Sequence, residues 1–446
     1  MADFIIEHRK QQVPDRLKSN FKHLYFDIAW FGILSGSTLS FIAVYMARIG
    51  ASATQIGLFD AGPAMITLMF ALPSGSWLKN KSLERSTFWS AAIFRSFYLL
   101  WIFLPIWMGS QIQIWVYVGL ALLMSIPGTV LAISFNAMFA DAVPPEWRGH
   151  VAGIRNAVLA IAFILSSLVC GALLSWLPFP LGYQVVFAIG FLGAVMSTLH
   201  LWFIHITPEN ITQRRTGESI GDLARPGIIR SLSSAVRTSV GLRFLTRHRH
   251  PQLPRVDILK GHFGKIALVL GLFHLSLFLP RALFPLFWVD RLHLTDAEIS
   301  MGNAVFYMSV FVISTQLSRI TDRLGHYRIM LLGSIFLVAY PLITAFMQGF
   351  PLFLINSVIG GVGWSLAGGA VNNYLLENIP EDARAVHLAW YNLIMNAAVL
   401  ISSLVGPLLS QQLGLVSALV VCGGARMFSA LAIWRWGKSV VPLKSA

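Results

Sequence analysis

Apolar residues run along this chain in long blocks divided by short polar segments, rather than alternating or recurring on a single helical stripe. A helix needs about 20 mostly apolar residues to cross a bilayer. Twelve blocks satisfy this, at 24–47, 56–78, 86–108, 112–139, 151–176, 184–206, 264–289, 299–320, 328–348, 352–376, 386–411 and 415–436. A membrane barrel would alternate in segments of about ten residues. These blocks are apolar all round, so the predicted fold class is an all-α membrane protein.

The polar segments assign the sides. With an even number of spans, the termini and the 2–3, 4–5, 6–7, 8–9 and 10–11 connections share one face. That face carries nearly all the basic residues, among them Arg9, Lys10, Lys79, Arg148, Arg155, Arg323, Arg384, Lys444 and eleven between Arg214 and Lys265. The other face has Arg48 and Arg291. Lys and Arg accumulate on the cytoplasmic side, so both termini are expected there. The first apolar block is too long for a cleavable signal, and a multi-pass protein of a plasma membrane, of the bacterial inner-membrane type, is expected.

The longest polar stretch, 207–263, divides the chain into an N-terminal half (1–206) and a C-terminal half (264–446). Within it Ile229, Leu232, Val236 and Val240 recur at helical spacing. That suits a helix on the inner leaflet held by anionic lipid, and equally a solvated linker.

The halves are copies. Residues 136–174 align without gaps to 372–410, pairing Asn136 with Asn372, Pro144 with Pro380, Arg148 with Arg384 and Asn156 with Asn392. A second, weaker match pairs Arg48 with Arg291, Ile56 with Ile299 and Arg85 with Arg328. Two repeats in the same order and orientation, each of six spans, describe two six-helix bundles about an axis along the membrane normal.

Composition excludes other classes. Charged residues are 12% of the 446, against 56% apolar, where globular domains hold roughly 25% charged. The net charge of +14 lies in the connections and not on one soluble face, so nucleic acid is not an expected partner. Cys170 and Cys422 both sit in apolar blocks; no disulfide framework, metal site or cofactor is expected. No HExxH, P-loop or G-x-S-x-G motif is present, and no enzymatic activity is expected.

The 8–9 connection reads Ser318-Arg319-Ile320-Thr321-Asp322-Arg323-Leu324-Gly325-His326-Tyr327-Arg328. With the repeat, this resembles the major facilitator superfamily, whose loop signature is a Gly four residues before Asp-Arg-x-Gly-Arg/Lys. Asp322, Arg323 and Gly325 match. In the 2–3 connection Gly75 holds the leading position, while Lys79 and Ser82 replace the Asp and second Gly. The resemblance implies a secondary transporter that moves a small solute by rocking its halves, with spans 1, 4, 7 and 10 lining the cavity. Asp322 would act as a conformational latch, with Glu84 or Asp141 as substitute carboxylates in the first half. The repeated Pro-x-x-x-Arg turns place Asp141 beside Arg148 and Glu377 beside Arg384, either as gating pairs or as plain helix ends.

Ionisable groups deep in a bilayer cost at least about 2.5 kcal/mol and mark function. Arg281 and His274 in span 7 lie seven apart, on one face of a continuous helix, and are the first candidates for substrate contact, with Trp364 of glycine-rich span 10 as a stacking partner. Span 10 is read either as tightly packed or as flexible. Arg95 and Arg426 are expected to be structural, paired to a carbonyl or to Asp60. Asp27 and Asp60 are candidates for coupling. Few interior acids around Arg281 point to an anionic or amphiphilic solute. A drug/proton antiporter is the alternative, weakened because Cys170-Gly171 replaces the expected Gly-Pro of span 5. A non-transporting sensor or assembly factor on the same scaffold, signalling through the linker, is the other. A monomer is expected.

Overall fold

The computed structural model describes residues 15–78, 81–206, 256–380 and 384–438. The linker helix proposed around Ile229–Val240, together with Arg9, Lys10, Lys79 and Lys444, lies outside the described residues. Ten helical segments are long and apolar enough to cross a membrane. One of them, Asp296–Phe346, is two spans in a single 51-residue run, divided at Gly325 where φ is 74°, a value that favours glycine. The 25-residue helix Ala53–Trp77 completes twelve.

In chain order these are α1 (Asp15–Leu34, continued through a π-helical turn Ser35–Leu39 into Ser40–Arg48), α2 (Ala53–Trp77), α3 (Leu83–Trp107), α4 (Ser110–Ala142), α5 (Pro145–Trp176) and α6 (Leu181–Trp202). The second half has α7 (His262–Phe278, then Leu283–Leu286 and a π-helical turn Phe287–Arg291), α8 and α9 on either side of Gly325, α10 (Gly349–Glu377), α11 (Arg384–Leu413) and α12 (Leu415–Trp436). Within the halves α1 packs on α5 and α6, and α7 on α11 and α12. Between the halves α5 meets the α8–α9 run and α2 meets α11.

The apolar core is distributed unevenly along the membrane normal. At the end away from the termini one cluster joins both halves, with Leu34, Phe41, Tyr45 and Ile56 packed in the same body as Leu279, Leu283, Phe287 and Ile299. At the other end the core divides into two clusters, around Leu24, Met138 and Val151 in the first half and Ile266, Leu366 and Tyr374 in the second, the latter touched from the first half by Ala64 of α2. The bundle is thus sealed at one end and parted at the other.

Proline shapes the spans through the carbonyls it strands. In hydrocarbon every backbone polar group needs an internal partner, and a proline withholds the N–H owed to the carbonyl four residues earlier. Pro280 strands Ser276, and the Arg281 N–H turns to the Phe278 carbonyl at 3.1 Å, which strands Leu277 too. Arg426 of α12 donates to both, Nε to Ser276 O at 3.3 Å and Nη2 to Leu277 O at 2.8 Å. Its Nη1 reaches Leu337 O at 2.7 Å, the carbonyl that Pro341 leaves open in α9. Tyr117 serves Trp101 O in the same way before Pro105, at 3.3 Å. Arg148 serves Ala140 O before Pro144, at 2.8 Å.

Arg426→Leu is therefore expected to lower the melting temperature of the detergent-purified protein, since each carbonyl left unsatisfied costs about 1–3 kcal/mol. Arg426→Lys should recover part of the loss. A melting temperature equal to the parent's for the Leu variant would reject this role.

Candidate functional site

The interior charges of the first half form a closed network. Asp27 of α1 is buried and accepts from Arg155 Nη2 of α5 at 3.0 Å and from Ser197 Oγ of α6 at 2.6 Å. Arg95 of α3 stands 4.0 Å from the same carboxylate and donates to Thr198 Oγ1 at 2.9 Å. Arg155 also donates to Leu24 O and lies over the Phe135 and Phe139 rings of α4. This corrects two expectations. Arg95 meets the expected carbonyl at Ala194 O, 3.4 Å away, but its acid is Asp27 and not Asp60, and Arg155 is an interior residue, 2% exposed, rather than part of a basic connection. Arg155 falls near the start of the apolar block 151–176, and because helix α5 already begins at Pro145 it lies about three turns inside the helix.

The second half repeats this contact without charge. The repeat that pairs Asn156 with Asn392 pairs Arg155 with Tyr391. Tyr391 Oη lies 2.8 Å from His274 Nε2, joining α7 to α11 as Asp27 and Arg155 join α1 to α5. His274 is buried there against Phe273 and Phe278. The shared face expected of His274 and Arg281 presumed a continuous helix, and the break at 279–282 removes it.

Arg281 is the exposed residue in a buried run. Residues 276–280 and 282–283 are all buried, with Leu279, Ala282 and Leu283 inside the seal. The Arg281 side chain is 47% exposed and reaches across to the first half, its Nε 3.3 Å from Oδ2 of Asp60, which is 19% exposed. It also lies over the Phe278 ring, 5.9 Å from the centroid. Because the pair bridges α7 and α2, the space it faces is the one between the halves, directly beneath the seal. Asp60 and Arg281, named separately from the sequence, thus form one site.

Polar contacts close the seal above. Arg48 of α1 donates to Leu294 O and lies 3.1 Å from Asp296 at the start of α8. Tyr183 of α6 donates to the same Asp296 oxygen at 2.7 Å, and Gln411 of α11 to Thr54 of α2 at 2.7 Å. Gly57 of α2 lies against Ser403 O and Pro407 of α11, and Gly171 of α5 against Ser300 and Ala297 of α8, so missing side chains let the halves touch. Lower down, the Phe163 and Tyr307 rings meet at 3.8 Å between α5 and α8. Contacts that cross between the halves thus include the clasps of the seal and the Asp60–Arg281 pair.

At the parted end the loop residues hold their own half. Asp322 and Arg323 are exposed, with no hydrogen bond or ion pair among the described residues. Gly325 makes the turn. Glu377 pairs with His326 at 2.6 Å, and Asn373 with the other ring nitrogen at 3.0 Å, a histidine that no motif identified. The Arg384 side chain lies outside the described residues. In the first half Arg148 caps α4 through Val143 O and Ala140 O, and Asp141 is buried. Glu84 accepts from Ile206 N–H at 2.6 Å, tying α3 to the end of α6. Gly75, near the end of α2, faces open space. Trp364 is half-buried on the second-half cluster, and Gly360, Gly361, Gly363 and Gly369 of α10 lie against α8 and α9, which accounts for the glycines by close packing.

The two carboxylates should behave differently. Asp27→Ala leaves two buried guanidinium groups without a counter-charge, and losing one partner of a buried pair costs about 3–5 kcal/mol. Asp60→Asn breaks a partly exposed pair worth about 0–1 kcal/mol. Melting of both variants in detergent should show a large loss for the first and little for the second; equal losses would contradict the assignment.

Comparison with known proteins agrees with this architecture. The family profile described as Major Facilitator Superfamily matches residues 28–254 and 266–445. A bacterial homologue of the iron transporter ferroportin in an inward-facing state superposes with a TM-score of 0.68 at 16% identity, covering 96% of this chain and 100% of that one. Such a homologue in an outward-facing state gives 0.56 at 16% identity, covering 94% and 99%. The nucleoside transporter NupG gives 0.62 at 12% identity, covering 95% and 100%. No curated protein sequence matches significantly. The family match spans both repeats and the solved structures share the whole fold, so this chain belongs to the Major Facilitator Superfamily, with the two-bundle architecture of its transporters.

Proposed function

We propose that the protein is a secondary active transporter that carries a small organic solute bearing an anionic group, by alternating access. The observation that carries this reading is the asymmetry of the interface: one shared apolar cluster with polar clasps at one end, separate clusters at the other. Such a body has a second arrangement available by rocking, in which the clasps part and the other ends meet. With Lys and Arg placing the termini in the cytoplasm, this conformation opens inward, as the better superposition on an inward-facing relative supports. Solute entering from that side meets Arg281 and Asp60 under the seal. The protein would act as a monomer in a plasma membrane, with anionic lipid against its basic linker.

Flux is expected to depend on the seal opening. In proteoliposomes, solutes chosen by thermal-shift screening of organic anions, cations and neutral amphiphiles should enter through the parent. Entry should stop when a Thr54→Cys/Gln411→Cys pair is oxidised and return on reduction; the native Cys170 and Cys422 are buried. Continued flux through the cross-linked protein would refute alternating access. Binding without flux in the parent would favour a sensor.

Breaking the clasp should also shift the resting state. Arg48→Ala removes the Asp296 contact, and a loss of about 1.4 kcal/mol shifts such an equilibrium tenfold. Labelling of a single Thr54→Cys by an impermeant maleimide from outside should accelerate accordingly. An unchanged rate would mean that the apolar cluster alone holds the seal.

A further inference from the structure

The Asp60–Arg281 pair is built to be exchanged. A guanidinium offers five N–H donors in a fork, and Arg281 comes nearest to Asp60 through Nε. Its two terminal nitrogens donate to nothing among the described residues, on a side chain 47% exposed to the space between the halves. That open edge matches a carboxylate, sulfonate or phosphate in two-point geometry. Asp60 sits behind, less exposed, and the pair has no second charge to share. Arg281 is the charged group facing Asp60, and α4 and α11, packed on α2, bring no other charged or titratable group to it. Tyr307 of α8 is the further titratable group within electrostatic reach of Arg281. The remaining interior charges are committed elsewhere, Asp27 to Arg155 and Arg95, and Arg426 to backbone carbonyls.

We propose that an organic anion displaces Asp60 from Arg281 and that Asp60 then takes up one proton, so that the anion and the proton travel together. This rests on the transporter reading above. The balance is simple. The empty site holds Arg281 as a cation and Asp60 as an anion, and sums to zero. The loaded site holds the same cation, the solute anion and a neutral carboxylic acid, and again sums to zero. An anion bound without a proton would leave an uncompensated carboxylate half-buried at the closing interface, which is unfavourable. The site therefore crosses its rocking transition uncharged both loaded and empty. A zwitterion could occupy both groups without a proton, but the open donors lie on Arg281 alone. The Phe278 ring beside it, with Tyr307 and Phe163 nearby, suits an anion with an aromatic or apolar body.

The test uses the full-length protein and a matched set of probes: benzoate, benzenesulfonate, phenylalanine, benzylamine and benzyl alcohol. The two anions keep their charge between about pH 6 and 8, so any pH dependence of their binding arises in the protein. Benzoate or benzenesulfonate affinity should rise about tenfold for each unit the pH falls, the linkage expected for one proton taken up. Calorimetry of the parent in buffers of differing ionisation enthalpy should count that proton directly, whatever the variants do. Asp60→Asn should bind the anions with the pH dependence gone, and Arg281→Gln should not bind them. Absence of anion binding at millimolar concentration, pH-independent anion binding by the parent, or tightest binding of phenylalanine would each overturn the proposal. Counterflow of a bound probe separates the two readings: flux with pH-independent binding rejects the proton exchange and leaves the transporter, whereas binding without flux rejects transport itself.

Discussion

The constraint on which this structure turns is that a carbonyl stranded in hydrocarbon must find a donor inside the protein. Pro280 breaks α7 at mid-length, and the break would be intolerable without the guanidinium of Arg426, which takes Ser276 O and Leu277 O together with Leu337 O. With its stranded carbonyls satisfied from the α9–α12 side, the chain can turn at 279–282 and present Arg281 to the opposite face. A buried arginine on one helix thus permits an exposed arginine on another. The pattern recurs at Pro105 and Pro144, where Tyr117 and Arg148 answer the freed carbonyls. Bends that look like weaknesses in the sequence are places where side chains from neighbouring helices lock.

Charge is divided by purpose between the inside of a half and the gap between halves. Inside the first half, Asp27 is enclosed by two arginines and a serine from three helices. Removing Asp27 would leave two buried guanidinium groups unpaired, and its contacts join α1, α3, α5 and α6 into one body. The second half uses His274 and Tyr391 at the related contact and holds its stranded carbonyls with Arg426. Pairs that cross the gap are of another kind. Arg48–Asp296 and Asp60–Arg281 are each a single ion pair and partly exposed, and such pairs contribute little net stability. Rigid halves with weak clasps between them are what a rocking mechanism requires.

The connecting loops show how a repeated sequence diverges. In the second half Asp322 and Arg323 are exposed, while His326 ties the turn to Glu377 and Asn373. In the first half Glu84 secures the end of α6. Each of these contacts ties a connection to its own bundle at the parted end.

The sequence by itself determined the class, the number of spans, the twofold repeat and the family, because hydropathy and repetition act over twenty or more residues and survive local irregularity. It also identified Asp60 and Arg281 one by one, since a charge in an apolar block is conspicuous. What it did not reveal is who pairs with whom. Asp60 and Arg281 are 221 positions apart (281 − 60) and belong to different halves, and Arg155, near the start of its apolar block, read as the last basic residue of the connection before it. The heptad spacing of His274 and Arg281 misled for the same reason, as it assumed a helix that Pro280 interrupts. Pairing, helix breaks and the choice of which end is sealed depend on the packing of helices remote in sequence, and only the tertiary structure brings those surfaces together.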